Sequence, residues 1–133
     1  MKKFSSTRRI NNFFIGLYRC IKARHLYFYI TTYKGFYPII EDLYNEGILK
    51  GYKKTKDIYK IYPRYSSSNR NIISRIKFVS KPGHRIFIRY KNFLKMKHWN
   101  TKVLGFVRTR FGIISIKDCM KFKIGGELLV LLF

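Results

Sequence analysis

The chain has 133 residues, with 29 lysines and arginines against 6 aspartates and glutamates, a formal charge of +23 at neutral pH. Self-repulsion on that scale is costly for a free protein and points to a polyanion held through cationic contacts to phosphates. An apolar fraction of 47% with 18% aromatics argues against disorder, and the length suits one domain or two small lobes sharing an interface.

The first ten residues are basic and Ser-containing, faintly like a transit peptide, and read as a flexible basic tail. Ile10, Phe13, Phe14, Leu17 and Ile21 then repeat at the spacing of one helix face. Residues 26–30, Leu-Tyr-Phe-Tyr-Ile, have strand composition. Phe36, Ile39, Ile40 and Leu43 repeat the helical spacing, with Thr31 or Thr32 as the starting cap, and Gly47 falls where a left-handed C-terminal cap belongs. Pro38 is comfortable only in a first turn, which moves the start of this helix toward Tyr37. Strands over 48–54 and 58–62 flank a Thr55-Lys56-Asp57 turn. The polar stretch 66–70 marks the boundary between an N-terminal α/β lobe, 1–70, and a β-rich lobe, 71–133.

In the second lobe, strands over 72–79 and 84–90 flank the Lys81-Pro82-Gly83 turn, in which Pro fixes one torsion angle and Gly takes the unusual one. A single helical turn over 93–99, strands over 104–108 and 113–115, a short helix over 116–122 and a last strand over 128–133 complete an α/β (α+β) fold. The apolar terminal run is far below the ~20 residues that span a bilayer and reads as a core strand.

No enzyme can be assembled from these residues. His25, His84 and His98 lack metal spacing and a nucleophile partner, and Cys20 and Cys119, far apart with no ligand neighbours, read as buried free thiols. No cofactor or metal is implied. RNA recognition needs cations, hydroxyls, flat side chains and small residues for close approach. The turn of the second lobe offers all four: Arg108 and Arg110 for phosphates, Thr109 for a base edge or sugar, Phe111 for stacking, Gly112 for approach. An ordinary hairpin with solvated arginines reads the same residues about as well. Glu127 can accept hydrogen bonds from base amino groups or sugar hydroxyls, or orient neighbouring arginines; we assign it to RNA over the alternative, an internal salt bridge. Gly125 and Gly126 also fit a plain tight turn, and Phe87 and Tyr90 more often pack than stack.

Ser80-Lys81-Pro82-Gly83, the Arg108-to-Gly112 loop, the charged stretch 117–123 and Gly125-Gly126-Glu127 before the last strand resemble the C-terminal half of the bacterial-type small-subunit ribosomal protein eight family. More loosely, 17–25 resembles the family's first helix end, and Asn45-Glu46-Gly47-Ile48-Leu49-Lys50 its Glu-Glu-Gly-Tyr-Ile-Lys stretch. Arg108 and Arg110 replace both serines of the family's Ser-Thr-Ser loop, and Phe111 stands at its lysine, which exchanges hydroxyl readout for a more electrostatic grip.

The resemblance implies a two-lobed protein that binds a stem with an irregular internal loop in the central domain of small-subunit rRNA and supports assembly there, beside neighbouring small-subunit proteins. The implied surface comprises Arg108, Thr109, Arg110, Gly112, Gly125, Gly126, Glu127, Ser80, Lys81, Pro82, Gly83 and Phe87, with Arg19 and Lys34 at a second RNA site. The Ile, Phe, Tyr, Leu and Lys bias, with Ala23 the only alanine, is that of an AT-rich gene and points to a mitochondrial ribosome; a plastid or a bacterial cytoplasm is the alternative. A membrane-surface protein is the rival from another class, disfavoured because the periodicities build several short core elements. A generic DNA binder is disfavoured by the lack of a helix-turn-helix or finger pattern.

Overall fold

The structure, a computed structural model, describes residues 2–66, 72–95 and 103–133. Helix α1 (Lys2–Ala23) is followed by β1 (Phe28–Thr31), α2 (Phe36–Asn45), β2 (Leu49–Lys54) and β3 (Ile58–Pro63). Then come β4 (Ile76–Phe78), β5 (Phe87–Ile88), α3 (Tyr90–Lys95), β6 (Leu104–Thr109), β7 (Gly112–Ser115), α4 (Ile116–Phe122) and β8 (Gly126–Leu132). This is an α+β fold with antiparallel sheets.

The apolar stripe of α1 is fully buried: Ile10, Phe13, Phe14 and Leu17 expose nothing, each worth about 1.5 to 3 kcal/mol against solvent exposure. The expected basic tail is instead helical from Lys2. Without Pro or Gly over 2–15, extending a nucleated helix costs less order per hydrogen bond than starting one. Thr7 is buried, and Arg9 lies over the Tyr33 ring at 5.2 Å. Helix α2 starts at Phe36 with Pro38 in its first turn, and its cap is Gly35 without a side-chain bond, not Thr31 or Thr32. At its other end the Gly47 and Ile48 amides donate to Tyr44 and Leu43 carbonyls, the paired bonds of a Schellman motif.

The first sheet has the order β1-β3-β2. In the second, β8 is central, with β6 and then β7 on one side and β4 and β5 in succession along its other edge. Strands β4 and β5 therefore pair with β8 rather than with each other across the Pro82 turn, where Lys81 and His84 exchange backbone bonds at 3.0 and 2.9 Å. The expected strand over 84–90 shrinks to two residues, and α3 begins at Tyr90, earlier than the expected turn over 93–99. Residues 67–70 of the expected boundary and 96–99 lie outside the described residues.

The main core crosses between the halves. Phe13, Phe14, Phe36, Ile39 and Tyr59 share one cluster with Phe106, Ile113, Leu129 and Val130, and the Phe14 and Phe106 rings meet at 5.6 Å. A second cluster, Phe93, Val107, Cys119, Leu128 and Leu131, fills the opposite face of the second sheet. With a core on each face, β8 is buried from Glu127 to Leu132, which accounts for its unbroken apolar run.

Candidate nucleic-acid interface

Strand register assembles the site. Phe87 of β5 lies opposite Glu127 of β8, Glu127 opposite Arg108 of β6, and Arg108 opposite Ile113 of β7. One row across four strands thus ends at the hairpin 109–112. Phe87 is 68% exposed and Phe111 is 70% exposed, unusual for large aromatics in a protein with apolar cores to fill. Arg110 sits over the Phe111 ring at 5.0 Å. Inside the turn the Thr109 hydroxyl donates to the Gly112 carbonyl at 2.8 Å and accepts from the Phe111 amide at 3.1 Å. Gly112 has φ +111°, and a Cβ there would meet nothing within 4 Å, so backbone torsion alone already favours glycine.

Glu127 lies inside the fold and not on its surface. Its side chain is 2% exposed, with Arg85 at 3.2 Å and Arg108 at 3.9 Å from Oε1; it forms the internal ion pair. Neither carboxylate oxygen has an aligned hydrogen bond, and one Arg108 guanidinium nitrogen is also buried without a partner among the described residues. A buried carboxylate is strongly disfavoured unless cations compensate it. Two arginines around one carboxylate leave net positive charge on a fixed frame. Glu127 is thus a positioning residue for Arg85 and Arg108.

Ser80 and the two glycines likewise have work inside the fold. Ser80 is fully buried; its hydroxyl donates to the Leu128 carbonyl at 2.6 Å and accepts from the Ile86 amide at 3.0 Å. It pins the Lys81-Pro82-Gly83 turn, itself exposed, against β8. A Cβ on Gly126 would strike the Arg108 carbonyl, and one on Gly125 the Ile88 carbonyl; crossing strands require both glycines.

Lys34 is exposed beside Gly35, which abuts the Ile113 side chain, so its loop stands next to the β6–β7 hairpin. Arg19 is not brought there: it lines a groove between the end of α1 and Phe28, with Tyr18, Lys22 and His25. Arg85 was missed in the sequence, although it lies two residues before Phe87, on the same side of an extended segment.

Among the described residues the remaining titratable groups include buried thiols and a cluster of acids. Burial pushes the Cys119 thiol up to about 11, with nearby Asp118 adding to it, and raises Cys20 against the opposing hydrogen bond from Tyr65; both are buried thiols of low reactivity. Asp42 is raised to about 6, first by burial and then by Asp118, Glu46 and Glu41. These four are most of the chain's six acids, gathered around α2 and α4. Among the described residues no three metal-ligating side chains cluster, and no helix is long and apolar enough to cross a membrane.

The chain is thus a basic α+β protein with exposed cations and aromatic rings gathered along one row of its second sheet. The sequence model of the family Ribosomal protein S8 matches residues 9–133, and the chain belongs to that family. It is 36% identical over 91 residues to the small ribosomal subunit protein uS8 of Geotalea daltonii, covering 65% of this chain and 67% of that protein. It is 35% identical over 98 residues to the uS8 protein of Kosmotoga olearia, covering 68% and 72%. The uS8 protein of Pediococcus pentosaceus is 29% identical over 129 residues, 94% of this chain and 96% of that protein. The chain is accordingly a structural component of the small ribosomal subunit and not an enzyme.

Proposed function

We propose that the chain binds small-subunit rRNA, at a stem with an irregular internal loop in the central domain, through the face formed by the Lys81-Pro82-Gly83 turn, Arg85, Phe87 and the 108–112 hairpin. The observation that carries this reading is the row Phe87, Glu127, Arg108 ending in the exposed Phe111. A buried carboxylate gathers two of the cations, and exposed aromatic rings stand on either side. Backbone phosphates would meet Arg85, Arg108, Arg110 and Lys81; an unpaired base of the loop would stack on Phe87 or Phe111. Lys34, beside the hairpin, extends the same surface, and Arg19 serves a separate contact.

Binding there would nucleate local assembly and present α2, which carries Glu41 and Asp42 and ends at Glu46 without a basic residue, to neighbouring small-subunit proteins. We place the protein in the mitochondrial ribosome on its AT-rich residue bias; co-sedimentation with mitochondrial or with bacterial-type small subunits decides this. Titration of the full chain with fragments of small-subunit rRNA tests the main reading. Each phosphate contact adds about 0.7 to 0.9 to the log–log salt slope, so several contacts give a magnitude above about 4. A slope below about 2, or no preference for the central-domain stem, overturns it.

A further inference from the structure

The outer face of the first sheet has no part in that site. Phe28, Ile30, Tyr59 and Ile61 point into the main core, and strand alternation turns Tyr29, Lys60 and Tyr62 to the other side. Tyr27 and Tyr29 stand edge to face at 5.4 Å, and Tyr27 and Tyr62 at 6.0 Å. The Lys60 ammonium lies over all three rings, at 4.1, 5.7 and 5.5 Å. Tyr27 is 40% and Tyr29 57% exposed. Lys53 lies opposite Lys60 in the ladder, and Lys50 and Arg64 line the adjoining groove of about 680 Å³.

Gly51 pairs with Tyr62. A Cβ there would meet nothing within 4 Å, and its φ is not in the left-handed region, so packing does not demand glycine. The ladder shifts register between Leu49 and Gly51, where a strand glycine is common, and with no side chain at 51 the surface beside Tyr62 is left open.

We propose that this face is a second RNA surface, taking unpaired nucleotides by stacking bases on Tyr27, Tyr29 and Tyr62 while Lys50, Lys53 and Lys60 hold the phosphates. The inference rests on the reading that the partner is RNA. Charge and ring chemistry select the occupant: the cations of this face call for an anion, and a single strand supplies phosphates together with a π face on every base. Lys60, now shared among three rings, turns to a phosphate when bases take the ring faces. The protein would thereby join a stem at one sheet to a neighbouring single strand at the other.

Fluorescence anisotropy of the full chain with an unstructured oligouridylate and, separately, with a central-domain small-subunit rRNA stem lacking single-stranded flanks tests this. The variant carrying Tyr29→Ala and Tyr62→Ala keeps every charge; it is expected to bind the oligouridylate about tenfold more weakly or worse, the loss of stacking at two rings, while stem binding stays within about twofold of the unmodified chain. Gly51→Leu, which fills open space, is expected to weaken the oligouridylate alone. Unchanged oligouridylate binding by both variants, with circular dichroism showing them folded, overturns the proposal while leaving the stem reading intact. Competition by a poly-glutamate peptide that shows the same ring dependence overturns it in favour of an acidic protein partner. Failure of the unmodified chain to bind the stem is instead a failure of the proposed function.

Discussion

The two sheets expose their chemistry in opposite ways. In the second, a buried carboxylate draws Arg85 and Arg108 toward one point, and glycines at 125 and 126 let strands pair at backbone contact. Geometry is set before any ligand arrives. The outer face of the first sheet has no carboxylate at the outward positions of its ladder; its order comes from Lys60 resting on tyrosines, a soft arrangement that a ligand can rearrange. The difference teaches that charge alone does not define a binding surface: what holds the charge in place decides whether it can read shape.

Paired glycine substitutions break the comparison most strongly. Gly126→Ala forces a Cβ into the Arg108 carbonyl and is expected to cost about 3 kcal/mol or more, lowering the melting temperature by about 10 °C. Gly51→Ala meets open space and should stabilise by about 0.5 to 1 kcal/mol. Calorimetry of both variants measures the contrast; equal effects would erase it.

Glu127→Gln comes next. Losing the charge leaves Arg108, whose side chain is 22% exposed, beside a neutral amide, with an expected loss of about 1 to 3 kcal/mol in stability. Arg85, at 42% exposure, keeps water and limits the damage. Thermal melts without RNA read this directly, and an unchanged melt would contradict the positioning role.

Gly112→Val against Lys54→Ala sharpens the comparison through RNA affinity. Valine at φ +111° carries about 1 to 3 kcal/mol of strain and should reshape the hairpin, weakening binding by about tenfold. Lys54, over the Tyr59 ring at 5.7 Å on the first sheet, should matter about twofold, the weight of one phosphate contact. Equal losses would remove the hairpin from the site.

The smallest effect concerns the acidic region. Asp42, raised to about 6, binds its proton more tightly when folded than unfolded. Stability therefore falls as pH rises from about 4 through about 6 and stays reduced above. Asp42→Asn should stabilise the protein at pH 7 by about 1 kcal/mol, discounted because the group is partly solvated, and leave it unchanged near pH 3.5. Denaturant titrations at the two pH values check the sign.

Much of the fold was legible because local rules agreed with it. The α1 stripe, the placement of Pro38 in the first turn of α2 and the Gly47 cap follow from periodicity and backbone chemistry near in sequence. What escaped was the non-local pairing of β4 and β5 along one edge of β8, and the extension of α1 to Lys2, where a basic, Ser-containing stretch reads as a tail although it carries no helix breaker. The turns of the candidate site were legible as turns, and the Thr109 turn joins β6 to β7 as expected. The burial of Glu127 and Ser80 was not, since a polar residue in a basic sequence reads as exposed until the strands around it are known. The spacing of Tyr27 with Tyr29 and of Lys60 with Tyr62 by two residues is the sequence signal of the first sheet's outer face.

Amide hydrogen exchange of the full chain, free and bound to a central-domain small-subunit rRNA stem, tests the central claim most directly. New protection is expected over 81–89 and 107–113, with the α2 and α4 region unchanged. Protection centred on α2 and α4, or spread evenly along the chain, would contradict the assignment of rRNA binding to the second sheet's face.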